Sequence, residues 1–268
     1  MPEGHTIHQL ARDHRKLLVG RPLAVSSPQG RFAAGAAALT GGRLADVEAF
    51  GKHLFYDWAA GDVLHVHLGL FGRFLLHRGA PPPPVGAIRL RLSAGDDDHP
   101  PVTLDLRGPT DCSVGTPDDR DAIVDRLGPD PLRRDADPER FIAAAGHTSR
   151  AIGAVLLDQS MIAGLGNVYR AEVLFVCGID PRRAGRDLSE AERRCLWTTA
   201  ASMLRKGVRE RRIVTVDPSE LDGPLRREAA RGEATYAYHR ATCLRCGSPI
   251  ERFELGNRNC YACPVCQR

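Results

Sequence analysis

The sequence predicts an α+β multidomain chain: an N-terminal β-sandwich, a helical half and a short cysteine-bearing tail. Three observations carry that reading. Between about residues 22 and 113, β-type runs alternate with turn residues at short, even spacing, the pattern of a sandwich or barrel. After about residue 118 the apolar period becomes helical. Five of the eight cysteines fall within the last 26 of 268 residues.

Residues 5–19 set Ile7, Leu10, Leu17 and Leu18 among polar neighbours, an amphipathic helix. The strand runs are Leu44–Phe50, His53–Trp58, Val63–Leu68, Phe74–His77, Ala87–Leu92 and Val102–Leu106. Gly41-Gly42, Gly61-Asp62, Pro81–Pro84 and Gly95–Asp98 punctuate them, since glycine admits positive φ and proline fixes φ and lacks an N–H. Pro81–Pro84 and Asp96–Asp98 are expected as exposed, mobile loops. Helices are expected over Asp119–Leu127, Pro138–Ala145, Ala151–Gln159, from Gly166 to Cys177, and over Leu188–Arg211 with Ser189 as N-cap. Residues 214–235 are polar with few apolar anchors and are expected as a flexible loop.

Composition narrows the class. With 43% hydrophobic and 26% charged residues the chain is neither disordered nor collagen-like. No stretch approaches the ~18–20 apolar residues of a membrane span. The first residues lack the basic head and apolar core of a secretory signal. The expectation is a cytosolic chain with no membrane partner. The net charge of +4 conceals an asymmetry: residues 1–95 carry 11 Lys/Arg against 6 Asp/Glu, and residues 181–268 carry 18 against 11. Between them, residues 96–137 carry 5 against 12. Two basic blocks around an acidic one suggest a polyanion as partner. Only Lys16, Lys52 and Lys206 are lysines; the other 34 basic residues are arginines.

The tail holds two Cys-x-x-Cys knuckles, Cys243/Cys246 and Cys263/Cys266, separated by 16 residues. That gap is room for a hairpin, and four thiolates so spaced suit one structural zinc ion. Two disulfides are the alternative, disfavoured in a reducing compartment. Cys260 and Cys263 also form a Cys-x-x-Cys; the 263/266 pair is preferred for its Cys-Pro-x-Cys form, which makes Cys260 a packed residue. Cys112, Cys177 and Cys195 read as ordinary buried cysteines.

Reactive groups lie elsewhere. Pro2 follows Met1, and loss of the initiator methionine leaves a secondary amine that titrates near ~7.7–8. Its attack on an aldehyde-like carbon gives an iminium, which is an electron sink. Glu3 is a candidate acid beside it. In Ile162–Arg170, Gly164 and Gly166 precede a helix whose exposed N–H groups suit phosphate, with Asn167 as a further donor, or the segment is a simple inter-helix turn. The alternation in His65-Val66-His67 points both imidazoles to one side, as structural histidines or as a metal pair.

Five signatures occur in order: Pro2-Glu3-Gly4, Gly51-Lys52-His53-Leu54, Gly128-Pro129-Asp130-Pro131-Leu132, Gly164-Leu165-Gly166-Asn167-Val168-Tyr169 and the four-cysteine hairpin. Across essentially the whole chain the sequence resembles the formamidopyrimidine-DNA glycosylase / endonuclease VIII family of bacterial base-excision repair. The resemblance implies a β-sandwich catalytic domain over residues 1–117, a helix–two-turns–helix domain over 118–240 and a zinc hairpin over 241–268. It implies a bifunctional DNA glycosylase and lyase, a monomer acting on damaged duplex DNA, with single-stranded or bubble DNA as a further substrate.

Roles carry over from the resemblance. Pro2 would attack C1′ of the damaged nucleotide, and Glu3 would donate a proton to open the sugar and release the base. Lys52 would act as an acid in β-elimination. Arg258 on the hairpin would clamp phosphate and assist δ-elimination. Asn167 and Arg126 match DNA-contacting positions. Leu70 and Phe71, in His67-Leu68-Gly69-Leu70-Phe71-Gly72, sit where the family inserts wedge residues after a base leaves the stack. Arg107 is placed to reach the opposite, orphaned base.

Two departures stand out. Cys260-Tyr261-Ala262 replaces the aromatic residues expected before the third zinc cysteine, and Gly69 replaces a polar wedge-loop side chain. The start Pro2-Glu3-Gly4-His5-Thr6 resembles the endonuclease VIII branch, which implies oxidised pyrimidines as substrates. The alternatives are a purine-preferring glycosylase and a non-catalytic zinc-containing binder of damaged DNA. A zinc hydrolase is excluded for this hairpin, because four thiolates leave no open coordination position.

Overall fold

The computed structural model describes residues 2–96, 99–220 and 234–268. Contacts divide them into two units, one of Pro2 with Ile7–Asp125 and one of Glu3–Thr6 with Arg126–Arg268.

The first unit is the β-sandwich. Helix α1 (Gly4–Leu18) leads into β1 (Ala24–Ser26), α2 (Ala33–Leu39), β2 (Leu44–Phe50), β3 (His53–Trp58), β4 (Val63–His67), β5 (Arg73–Arg78), β6 (Ile88–Asp96), β7 (His99–Arg107), β8 (Asp111–Gly115) and α3 (Pro117–Val124). Two four-stranded sheets form, ordered β1-β6-β7-β5 and β2-β3-β4-β8. The alternation read from sequence turns Val47, Leu54, Tyr56, Leu64 and Val66 of one sheet, and Leu90, Leu92, Leu104 and Leu106 of the other, into a shared core. Ile7, Ala11 and Leu18 of α1 join it.

β1, β8 and α2 were not among the expected elements. β1 is three residues long, and α2 is a seven-residue, alanine-rich helix with no side-chain cap, so neither shows a period in sequence. Helix α3 opens with a capping box between Thr116 and Asp119 and ends at Val124, short of the expected Leu127. It packs on β4 and β8, which places it with the sandwich. Of the expected exposed loops, Pro82–Pro84 are exposed. Asp97 and Asp98 lie outside the described residues.

The second unit is helical. It holds α4 (Pro138–Gly146), α5 (Ile152–Val155), α6 (Asn167–Val176), α7 (Glu190–Glu210) and a hairpin of β9 (Glu251–Glu254) and β10 (Asn259–Ala262). Phe141, Leu165, Tyr169, Leu174, Leu196 and Leu204 form its core. Ser189 caps α7 in a box with Glu192, as expected. Helix α5 is far shorter than Ala151–Gln159, because side chains capture the backbone beyond it. Asp158 accepts from the Ser160 N–H at 3.0 Å, and the Gln159 amide bonds the Leu157 and Leu165 carbonyls and the Gly164 N–H.

The expected flexible loop needs a similar correction. Residues 221–233 lie outside the described residues, but the flanks are anchored. Val214 bridges Ala234, and Val216, Ala234 and Tyr236 are buried against Phe175.

Candidate functional site

The second unit fixes the start of the chain. Glu3 is fully buried. Its Oε2 accepts from the Gly166 N–H at 2.8 Å and its Oε1 from the Val168 N–H at 2.9 Å. The Tyr169 N–H lies 3.5 Å from Oε2. The Gly4 N–H donates to the Gly164 carbonyl at 2.8 Å. This approach needs the glycines: a Cβ on Gly166 would sit 2.5 Å from the Glu3 Cδ, and one on Gly4 2.9 Å from the Gly164 Cα. The N–H groups at the start of α6 were expected to face phosphate. They are instead taken by the Glu3 carboxylate, an anion placed at the positive end of the helix dipole.

Asn167, the first residue of α6, turns its side chain to the hairpin and donates from Nδ2 to the Asn259 carbonyl at 3.0 Å. Arg170 is fully buried and clamps the same turn: it donates to the carbonyls of Leu255 and Asn259, each at 2.9 Å, and to the Asn167 Oδ1. Arg258 stands exposed between those two carbonyl-bearing residues, in a turn closed by the bond from Leu255 N–H to its own carbonyl at 2.9 Å. Arg126, at the head of this unit, is also exposed.

Sequence reasoning missed Arg170 and Glu172. Glu172 is fully buried and accepts from the backbone N–H groups of Tyr236, Ala237 and Tyr238 at 2.6, 3.0 and 2.9 Å, and from the Thr215 hydroxyl. It thereby ties together both flanks of residues 221–233. Burial pushes its carboxyl upward, against the pull of those donors. The signal was present: α6 is apolar on every other side, and a charge in such a helix needs a dedicated partner.

The four tail thiols converge. The Sγ atoms of Cys243, Cys246, Cys263 and Cys266 all lie within 4.8 Å of one another. Cys243 and Cys266 are 3.8 Å apart, Cys246 and Cys263 3.4 Å. This four-thiol cluster can hold a metal ion. Cys260 is buried in β10 and is not a member of it.

The first unit carries the remaining residues. Lys52 sits in the two-residue turn that joins β2 to β3, where Phe50 pairs with His53. Its charge, after burial, lowers the His67 pKa. His53 stacks on His65 and lies tilted against His67; His53 Nδ1 lies 2.9 Å from His65 Nε2, and His65 Nδ1 3.4 Å from Asp111. Among the described residues they do not form a metal-ligand group. Leu70 and Phe71 occupy the turn after β4 and are 40% and 85% exposed, so they are not core residues. Arg107 ends β7 and pairs with Arg73, the residue that opens β5 directly after that turn.

Comparison with known proteins bears on this arrangement. Residues 1–111 match the model of the formamidopyrimidine-DNA glycosylase N-terminal domain, and residues 127–217 that of the formamidopyrimidine-DNA glycosylase H2TH domain. Endonuclease 8 1 of Mycobacterium tuberculosis is 44% identical over 273 residues, covering 100% of both chains. The chain belongs to the formamidopyrimidine-DNA glycosylase and endonuclease 8 family. Within the family, a probable endonuclease 8 2 of Streptomyces coelicolor is 34% identical over 100% of this chain and 94% of its own. A formamidopyrimidine-DNA glycosylase of Alteromonas mediterranea is 28% identical, over 99% and 93%. The fold matches Lactococcus lactis formamidopyrimidine-DNA glycosylase in complex with DNA containing N7-benzyl-Fapy-dG, at TM-score 0.80 and 23% identity, over 100% of both chains.

Proposed function

We propose that this glycosylase of base-excision repair removes oxidised pyrimidines from damaged DNA through a Pro2 Schiff base and then cleaves the strand by β,δ-elimination. The observation that carries the reading is the pinning of Glu3 and Gly4 to the Gly164–Tyr169 segment. It fixes the residue that follows Pro2 and leaves a carboxylate next in chain to the nucleophile.

The chemistry follows from ordinary reactivity. After loss of Met1 the Pro2 nitrogen attacks C1′ and the base departs. The Glu3 carboxylate takes the proton that the new ammonium sheds and returns it to the ring oxygen as the sugar opens, leaving the iminium. That cation acidifies C2′. Loss of a C2′ proton then expels the 3′-phosphate, with Lys52 as the acid at the leaving oxygen. Arg258 grips phosphate during the second elimination; a guanidinium holds its proton too tightly to be a ready donor. Asn167 and Arg126 contact the backbone. Leu70 and Phe71 fill the space the damaged nucleotide leaves.

The cysteine cluster reads as a structural zinc site. Zn–S bonds of ~2.3 Å set tetrahedral sulfurs about 3.8 Å apart, and the observed pairs at 3.4 and 3.8 Å fit. When bound, zinc holds the tail folded and the hairpin that bears Arg258 in place. The 44% identity over the full length of an endonuclease 8 supports the pyrimidine preference.

Borohydride reduction tests the central step. Untagged protein with Met1 removed should give a covalent adduct with DNA holding an abasic site. Absence of that adduct overturns the lyase reading. A panel of single-lesion duplexes scored for base release then separates oxidised pyrimidines from purines.

A further inference from the structure

One end of the β1-β6-β7-β5 sheet gathers three arginines that neither the motifs nor the proposed chemistry uses together. Arg73 of β5 pairs across the strands with Arg107 of β7. On the other side Arg107 pairs with Ile88 of β6, and the register shift between Ile88 and Leu90 leaves Arg89 as the extra residue of a bulge. Like charges directly opposite on a sheet repel, so the pairing of Arg73 with Arg107 costs stability in the free protein.

Among the described residues no carboxylate neutralises this end. Among the described residues none of the three guanidinium groups forms an ion pair, and the Nε–H groups of Arg89 and Arg107 are buried without an acceptor. The contrast is two residues along the same face. There Asp105, fully buried, holds Arg91 through two bonds of 2.7 and 2.8 Å and His77 at 3.1 Å. The carboxylate that lies on this face is therefore already committed.

We infer that Arg73, Arg89 and Arg107 form one row that binds successive backbone phosphates of DNA beside the Leu70–Phe71 turn. The row's ligand rests on the glycosylase reading. Strands lie ~4.8 Å apart, so three adjacent strands spread the charges over about 10 Å, a span that covers the two steps between three successive phosphates, each ~3.4 Å along the helix axis and longer along the backbone. A compact anion would use one or two of them; a strand uses all three. The neighbouring turn supplies the exposed aromatic, Phe71, and Arg73 opens β5 directly after that turn. Phosphate contacts fix register and carry no sequence information, which is what a wedge needs from its support.

Binding to duplex DNA, undamaged and holding a non-cleavable abasic analogue, is measured from about 50 to 200 mM salt for wild type, Arg73→Gln, Arg89→Gln and the double variant. The slope of log K against log salt should shrink by about 0.9 per arginine removed, equally for both duplexes, while Arg73→Lys and Arg89→Lys keep it. An unchanged slope in a double variant with wild-type unfolding overturns the row. The wild-type protein gives a second readout: arginine-selective dicarbonyl labelling at Arg73 and Arg89 should fall when DNA is bound, and equal labelling overturns the row. A wild type that binds no DNA overturns the glycosylase reading and the row with it, whereas DNA binding with an unmoved slope overturns the row alone.

Discussion

Lys52 is one of three lysines among 37 basic residues, and the acid role proposed for it is one that arginine could not fill. An ammonium can surrender its proton to a departing phosphate; a guanidinium cannot at any ordinary pH. Lys52→Arg keeps the charge and the approximate reach. DNA binding should therefore persist while strand cleavage falls by about 10²–10⁴, the usual contribution of a general acid. Base release should be little changed, so intact abasic strand accumulates on a denaturing gel. Equal cleavage rates in the two proteins would remove the acid role from Lys52. Glu3 shows the complementary case. Its type and place were readable from the first residues, but its partners were not, because they lie more than 160 positions away in the chain.

Helix α6 concentrates the second unit's buried charge: Arg170 reaches the hairpin turn and Glu172 reaches residues 215 and 236–238. Glu172→Gln keeps the shape of the side chain but turns an N–H₂ group toward N–H donors. It should cost the second unit about 2–4 kcal/mol, the range for leaving buried groups unpaired or opposed. Chemical denaturation measures this directly, and unchanged stability would deny the anchoring role. At this scale the sequence was readable where local chemistry decides. Gly51-Lys52 and Gly61-Asp62 set the hairpins, so β2 and β3 fall on the expected bounds. Ser189 with Glu192 sets the start of α7. It was unreadable where distant groups decide. The loss of α5 beyond Val155 depends on Asp158 and Gln159 side chains turning back on the backbone. The opposition of Arg73 and Arg107 depends on strand register, which no run of residues displays. The four-thiol cluster was legible from spacing because its knuckles are local; the Arg170 clamp on the same hairpin was not.

Across the molecule, stability against acid depends on histidines that burial keeps uncharged, of which His14 and His5 are held lowest, one in each unit. His14 in the sandwich is held down to about 4 from 6.5 chiefly by burial, with its Nδ1 2.6 Å from the Tyr56 hydroxyl. His5, in the second unit, is likewise lowered to about 4, first by burial and then by the charge of the chain terminus. The folded state keeps both neutral at a pH where the unfolded chain protonates them. The unfolded state therefore binds more protons between these values, and stability falls as pH drops from about 6.5 toward 4. Each histidine should cost about 2 kcal/mol between roughly pH 7 and pH 5, since one pKa unit is ~1.4 kcal/mol. Glu192 adds a later loss, because Arg183 holds its carboxyl down to about 2 and its contribution fades only below the ordinary carboxylate range. The two windows separate the causes. His14→Gln, which cannot titrate, should flatten the unfolding free energy of the sandwich between roughly pH 7 and 5 by about 2 kcal/mol and leave the steeper loss below about 4.5 in place. A variant that tracks the wild type through the upper window would show that His14 is protonated in the folded protein, and that the sandwich core admits its charge.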